Sequence, residues 1–285
     1  MLPLLEGILV AAIWASSFVF IKLGLVYMGP LTLAGLRYSL AAIVLLPWVL
    51  RERDTIASLT RSQWLRLALL GLCAYTIANG AFNWGLRYLP ATMMSFMMNL
   101  NPLLIFVASL VWLKEYPSRR QGLGLLVALL GSGLFFSGGL KPGASVGLGI
   151  ALVGLVAFSA FGVLGREVAR ERKVNTVLLT ALPLAIGGLS LLLVAIPVEG
   201  VPHLTAKAWG LVLWLAVVNT ALAYALYNHA LKELTALEMN VLLNISPMIT
   251  ALWAWILLGE RLSGIAWIGM IVTVVGVALV QQVRN

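Results

Sequence analysis

The chain has 285 residues, of which 61% are hydrophobic and 10% are charged, and its mean hydropathy is +1.01. This composition excludes a soluble domain, since the apolar runs exceed the roughly 20 residues that cross a bilayer as a helix. The formal net charge of +9 is spread over the connections between these runs, so it does not indicate a nucleic-acid partner. The single cysteine, Cys73, excludes an internal disulfide.

Ten apolar segments follow one another along the chain, and each is long enough to cross a membrane. Backbone groups in lipid must be satisfied within the segment, so helices are expected and strand-length alternating segments are absent. We label these helices α1 to α10 and predict them at residues 4–26, 31–50, 65–86, 91–113, 121–139, 146–167, 176–197, 208–231, 236–258 and 265–283. The sequence therefore predicts an all-α membrane protein with ten transmembrane helices.

A shift of 145 residues brings the first half of the chain into register with the second half without a gap. The matched pairs include Asn83 and Asn228, Asn99 and Asn244, Pro102 and Pro247, Gly124 and Gly269, and Gly131 and Gly276. Five helices per repeat is an odd number, so the second repeat must enter the membrane in the opposite sense. We predict inverted repeats at residues 1–140 and 146–285, joined by an external, glycine-rich connector near 137–149.

Lysine and arginine are distributed unevenly between the two sides of the predicted bundle. Of the 19 such residues, thirteen follow α2, α4, α6 or α8 or lie at the chain ends, five lie on the opposite side, and Arg37 lies inside α2. Because basic residues are enriched in cytoplasmic loops, both termini are predicted to lie in the cytoplasm.

Polar residues inside the predicted helices form matched stripes. Tyr75, Asn79 and Asn83 are spaced i, i+4 and i+8, which places them on one face of α3. The equivalent positions of α8 carry Thr220, Tyr224 and Asn228. A single such residue can simply hydrogen-bond a neighbouring helix, a contact worth about 0.6 kcal/mol on average. The matched pair of stripes favours a polar cavity.

Pro102 and Pro247 lie in the middle of α4 and α9, and each follows an asparagine by three residues. A proline cannot donate its backbone hydrogen bond, so each helix is expected to bend and leave one carbonyl free. An inert kink is one interpretation. Their symmetric placement in two inverted repeats favours a hinge that lines a central site.

Few ionisable residues lie within the predicted helices. Arg37 lies about a turn and a half inside α2, where an arginine is costly unless it pairs or snorkels, and structural pairing is expected rather than substrate contact. No aspartate occurs in a predicted helix, so a central carboxylate for ion coupling is not expected. His203 and His229 are too scattered for a metal or catalytic site, so neither metal, cofactor nor enzyme activity is predicted.

Several motifs resemble a known group of membrane proteins. They are residues 14–18 (Trp-Ala-Ser-Ser-Phe), the Arg37-Tyr38 pair, the Asn-x-x-Pro of α4 and α9, and residues 257–263 (Leu-Leu-Gly-Glu-Arg-Leu-Ser). With these the chain resembles the drug/metabolite transporter superfamily, and over nearly its whole length it is similar to ten-helix EamA-type exporters. Within that group it looks most like the bacterial aromatic amino-acid exporters of the YddG type.

The resemblance implies a carrier of the bacterial inner membrane with a cavity lined mainly by α1, α3, α4, α6, α8 and α9. Carried onto this chain, the substrate-binding candidates are Trp14, Ser17, Tyr75, Asn79, Asn83, Met98, Asn99, Phe158, Tyr224, Asn228 and Asn244. Aromatic side chains and neutral amides suit a zwitterion or neutral metabolite better than a sugar phosphate, which would want paired basic residues. Amino acids fit this description, and hydrophobic drugs fit it too.

Other classes of function are weighed against this interpretation. An ATP-driven pump would need a phosphate-binding loop, and the Gly-x-x-x-x-Gly-Lys-Ser/Thr motif is absent from the sequence. A gated channel or a membrane scaffold would show the same polar helices, so both stay open at this stage. The expected partners are a small-molecule substrate and membrane lipid, with the chain acting as a monomer.

Overall fold

The computed structural model describes residues 2–112, 118–137, 143–170, 174–202, 204–234 and 236–281. The helices α1 to α10 run over Leu2–Gly24, Pro30–Arg51, Arg61–Gly85, Ala91–Asn99 with Asn101–Trp112, Arg119–Phe136, Ala144–Arg170, Thr176–Glu199, Ala206–Ala230, Ala236–Leu243 with Ser246–Leu258, and Gly264–Gln281. A short helix, Arg53–Ala57, connects α2 to α3. Residues 138–142 of the predicted connector lie outside the described residues.

The prediction of an all-α membrane protein is confirmed. Every predicted helix is present, and no strand occurs in the described parts of the chain. Within the described residues, eight helices are long and apolar enough to cross a membrane, and Ala91–Val107 in α4 is a shorter apolar helix. Leu2 and Gln281 lie at the same end of the bundle, since an even number of helices, α1 to α10, connects them. We call this end the terminal face and the other end the opposite face.

Helices α4 and α9 are each interrupted, whereas the sequence predicts a bend in a continuous helix. Each break lies just before a proline: Pro102 and Pro247 are the second residues of the half-helices that begin at Asn101 and Ser246. The first amides of a helix have no intrahelical acceptor, so a proline at this position loses no hydrogen bond. The prolines therefore start new half-helices and do not distort existing ones.

Helices α3 and α8 each contain a π-helical segment at matched positions, which the sequence analysis does not predict. The segments are Leu72–Ala78 and Val217–Leu222, whose first residues are 145 positions apart. Inside α8, the Thr220 hydroxyl donates to the Leu215 carbonyl five residues earlier, at 2.8 Å. Because π-segments occur frequently at functional sites, their duplication marks the part of each repeat that borders the centre.

The two most extensive helix pairs join equivalent helices of the two repeats, α5 with α10 and α2 with α7. The glycines of α5 and α10, which occupy matched positions in the two repeats, face each other. A Cβ atom on Gly131 would lie 2.8 Å from the Gly269 carbonyl oxygen, and one on Gly276 would lie 2.7 Å from that of Gly124. Only glycine permits this backbone contact, so the facing glycines of α5 and α10 hold the two repeats together.

Candidate substrate cavity

A cavity of about 570 Å³ lies in the centre of the bundle. Helices α1, α3, α4, α6, α8 and α9 border it as the resemblance implies, and α2, α7 and α10 also contribute, whereas no described residue of α5 does. The bordering residues include every predicted candidate: Trp14, Ser17, Tyr75, Asn79, Asn83, Met98, Asn99, Phe158, Tyr224, Asn228 and Asn244, together with Pro102 and Pro247. Their part in substrate binding and in hinge motion stays a prediction.

The two equivalent asparagines of the proline motifs meet at the centre of the molecule. Asn99 Nδ2 lies 3.3 Å from the Asn244 carbonyl oxygen and 3.5 Å from Asn244 Oδ1. Asn244 Nδ2 in turn donates to Gln281 Oε1 at 2.8 Å. Equivalent residues approach each other only near a symmetry axis, so the pseudo-two-fold axis passes close to this pair. The breaks in α4 and α9 therefore lie at the point where the repeats meet.

Aromatic side chains form one wall of the cavity. The Tyr75 and Tyr224 hydroxyls are 3.2 Å apart, and the Trp14 ring centroid lies 5.5 Å from that of Tyr224. Tyr38 continues the wall at 4.9 Å from Tyr75, and Phe158 borders the cavity from α6. Such rings present large apolar surfaces with polar tips, so they accommodate a flat or apolar side chain.

The amide side chains differ in what they leave available for a ligand. Asn79 Nδ2 donates to the Ala74 carbonyl of its own helix at 2.7 Å, so its amide oxygen remains an acceptor. Asn83 and Asn228 border the same cavity from opposite ends, as inverted repeats require. Asn83 is buried and its Nδ2 has no partner among the described residues, whereas Asn228 Nδ2 lies 3.5 Å from Thr180 Oγ1.

Arg37 is buried in the cavity wall beside the π-segment of α8. Its Nε donates to Thr220 Oγ1 at 2.8 Å, and Nη2 donates to the Asn219 carbonyl at 3.2 Å. Asn219 is held from the other side, because its Nδ2 donates to the hydroxyls of Ser16 and Ser17, both at 3.0 Å. The expected structural pairing of Arg37 therefore exists, and its hydrogen-bond partners among the described residues are neutral.

Among the described residues, the cavity extends to the terminal face. Thr176 and Gln281, which are the first residue of α7 and the last of α10, both border it. Asn228 and Asn240 border it near the ends of α8 and α9 on the same face. Beside this opening His229 contacts Glu6 at 2.9 Å, which ties α8 to the start of α1. Polar residues thus surround the open end.

Toward the opposite face the cavity is closed by a buried apolar layer. Leu86, Leu89 and Met94 are all 1% exposed or less and pack in one cluster. Outside this layer Glu260, at the end of α9, accepts hydrogen bonds from the first amides of α4 and lies 3.6 Å from Lys22 of α1. An apolar layer and a carboxylate clasp therefore close this end.

The EamA-like transporter family matches residues 1–137 and, separately, residues 145–281 of this sequence. The chain belongs to this family. As an EamA-like protein it is a multi-pass membrane transporter, and the doubled match agrees with a cavity that both halves of the chain border.

Proteins that are similar to this EamA-like transporter over most of its length carry names that indicate different substrates or none. An uncharacterized transporter of Archaeoglobus fulgidus is 30% identical, over 94% of this chain and 93% of that protein. A probable amino-acid metabolite efflux pump of Salmonella typhimurium is 25% identical, over 95% and 91%. An S-adenosylmethionine/S-adenosylhomocysteine transporter of Chlamydia trachomatis serovar L2 is 26% identical, over 88% and 80%.

The fold is also found among solved structures. One crystal structure superposes on the EamA-like chain with a TM-score of 0.70 at 19% sequence identity, covering 98% of this chain and 96% of that one. At this identity the comparison shows a shared fold. It carries no information about the substrate.

Sequence reasoning missed part of the wall of the EamA-like cavity. Thr176, Thr180 and Gln281 border it from α7 and α10, close to helix ends where polar residues are normally hydrated. Asn219 is not among the residues that border the cavity, but its carbonyl positions Arg37; it is not predicted because it lies one position outside the stripe in α8. The π-segment that brings its carbonyl to Arg37 has no simple sequence pattern.

Proposed function

We propose that this protein exports small metabolites, foremost amino acids including aromatic ones, from the cytoplasm by alternating access through the central cavity. The observation that carries the proposal is a cavity that both repeats border, open at one membrane face and closed at the other. A volume of about 570 Å³ falls within the range of roughly 300–1,000 Å³ that is usual for small-ligand sites.

The direction of transport follows from the topology that the basic residues indicate. With both termini in the cytoplasm of a bacterial cell, the terminal face is the cytoplasmic face of the inner membrane. The cavity then opens to the cytoplasm and collects its substrate there. A thiol introduced into the Ser137 turn, in a Cys73→Ser background, should be labelled only from outside the cell, and labelling from inside would contradict this orientation.

The chemistry of the wall favours amino acids over larger amphiphiles. Tyr75, Tyr224 and Trp14 supply aromatic surface, while Asn79 and Asn99 supply neutral polar groups within the same space. An amino acid has a polar end and a side chain, which matches this division. The Salmonella relative is named for amino-acid metabolites, which supports the same class. Export of neutral drugs or other metabolites is the second candidate, favoured by the apolar share of the wall.

We further propose that the transporter acts as a monomer in lipid and needs no cofactor. A carrier and a gated channel differ in one measurable respect, since only a carrier exchanges substrate across the membrane by a conformational cycle. In proteoliposomes loaded with unlabelled amino acids, entry of labelled phenylalanine should be accelerated severalfold relative to empty vesicles. Equal entry into loaded and empty vesicles would favour a channel, and no entry of any amino acid would refute the proposed substrate class.

A further inference from the structure

Arg37 is the one charged side chain among the described residues that border the cavity. It is 6% exposed and is the eighth residue of α2, within the membrane-spanning part of the helix. No aspartate or glutamate borders the cavity in the described ranges. The cavity therefore carries a positive charge that no described acidic residue of its wall compensates.

The partners of Arg37 hold its side chain in place without neutralising it. Thr220 Oγ1 and the Asn219 carbonyl accept from Nε and Nη2, and the guanidinium carbon lies 5.1 Å from the Tyr38 ring centroid. Thr220 already donates its own proton to Leu215, so its lone pair must face the arginine. These contacts use two of the five guanidinium N–H groups and leave the others for a ligand.

A buried guanidinium is stable in low dielectric when a counter-charge completes its shell of hydrogen bonds. The guanidinium fork matches a carboxylate, which it binds with two parallel hydrogen bonds. The equivalent position in the second repeat is Leu182, which has no charge, so the cavity holds one such fork. The surrounding aromatic wall begins at Tyr38 and continues to Tyr75, 4.9 Å between ring centroids.

We propose, on the basis of the proposed function, that Arg37 binds the carboxylate of the transported metabolite. The substrates are then carboxylates, with α-amino acids as the best fit, because the Asn79 amide oxygen remains free to accept from an ammonium group. Organic cations without a carboxylate are rejected, since they meet an uncompensated positive charge. This assignment separates amino-acid export from the export of cationic drugs.

The test uses purified full-length protein and four probes that differ in one group each. These are phenylalanine, phenylalaninamide, phenethylamine and 3-phenylpropionate, measured by equilibrium binding and by competition with labelled phenylalanine in proteoliposomes. We expect phenylalanine and 3-phenylpropionate to bind, and the two probes that lack a carboxylate to bind about 10- to 100-fold more weakly, the range expected for one charge-assisted contact.

Two substitutions locate the effect. In Arg37→Gln the affinity for phenylalanine should fall to that of phenylalaninamide, whereas Arg37→Lys should retain part of the difference. Lys207→Gln removes the same charge from an exposed residue at the start of α8, and it should bind all four probes as the wild type does. If Arg37→Gln fails to fold, the four probes on the wild-type protein still decide the question.

Each result has a separate meaning. If phenylalaninamide and phenethylamine bind as tightly as phenylalanine, the role of Arg37 is refuted while the proposed export function stands. If Arg37→Gln keeps the full preference for carboxylates, another residue binds that group and the assignment is wrong. If none of the four probes binds or is transported, the proposed function itself fails, and the carboxylate site fails with it.

Discussion

The carboxylate of Glu260 should control which membrane face the cavity opens to. Its Oε1 accepts from the Ala91 amide at 2.8 Å, and its Oε2 accepts from the amide and hydroxyl of Thr92 at 3.2 and 3.0 Å. Lys22 of α1, 3.6 Å away, adds an ion pair. One side chain just after the end of α9 thus holds α4 and α1 together where the cavity is closed.

Glu260→Gln keeps the size of the side chain and removes this arrangement. The amide has one acceptor oxygen, so its NH₂ group would face one of the two backbone N–H donors, which would then lose its acceptor. Hydrogen bonds to charged groups contribute about 1.5–3 kcal/mol and neutral ones about 0.5–1.5 kcal/mol. A net loss of ~2 kcal/mol would shift the balance between the closed and open states of this end about 30-fold.

The shift can be measured by thiol accessibility from each side of the membrane. A Ser17→Cys residue in a Cys73→Ser background reports on the cavity, since Ser17 borders it. We expect an impermeant reagent to label it only from the terminal face in the wild type, and also from the opposite face in Glu260→Gln. Glu199→Gln is a matched control, because Glu199 accepts from the first amides of α2 in the same way.

The control should lower stability without opening the cavity, since α2 and α7 are also held by close backbone contact around Gly188. Unchanged labelling of the reporter in Glu260→Gln would refute the reasoning, because the clasp would then contribute nothing to closure. Labelling from the opposite face in Glu199→Gln as well would show that any loosened helix end opens the cavity.

Three further predictions concern packing, motion and coupling. Gly131→Ala should lower the melting temperature in detergent and cost about 1–3 kcal/mol of stability, because the added Cβ would lie 2.8 Å from a backbone oxygen of α10. Gly133→Ala is the control: its Cβ would meet nothing within 4 Å, so the melting temperature should not fall. Pro102→Ala and Pro247→Ala should slow transport at unchanged binding affinity, since each alanine adds a backbone N–H that can join the two half-helices across the break. Transport at the wild-type rate in both variants would leave the prolines as structural features only. A pH gradient should change the transport rate in proteoliposomes less than about twofold, because no acidic or histidine side chain borders the cavity in the described ranges. A strong acceleration of transport by the gradient would contradict this prediction.

The sequence predicts most of the fold because a membrane restricts an α-helical chain to apolar helices of nearly fixed length. The observed bounds of α2, Pro30–Arg51, and α7, Thr176–Glu199, differ from the predicted ones by no more than two residues. Apolar length sets these bounds. The breaks in α4 and α9 were predicted only as bends, because a proline motif does not say whether the helix continues or restarts.

Contacts between distant residues could not be predicted in the same way. Arg37 meets Asn219 and Thr220, which lie more than 180 residues later in the chain. Hydropathy and spacing describe one helix at a time, so they cannot show which helices touch. The π-segment Val217–Leu222 brings the Asn219 carbonyl to Arg37, but its amino-acid composition does not distinguish it from an ordinary α-helical segment.

The two repeats share their framework and differ where the cavity has its charge. The breaks, the π-segments and the facing glycines are duplicated, whereas Arg37 corresponds to Leu182 and Asn219 corresponds to Ala74. Inverted repeats can exchange their conformations, and this exchange requires that the mechanical features occur in both. Under the proposal that Arg37 binds the substrate, a single unduplicated anchor would serve both states. On this proposal the duplicated features would serve motion, and the unduplicated Arg37, which the Asn219 carbonyl helps to position, would serve recognition.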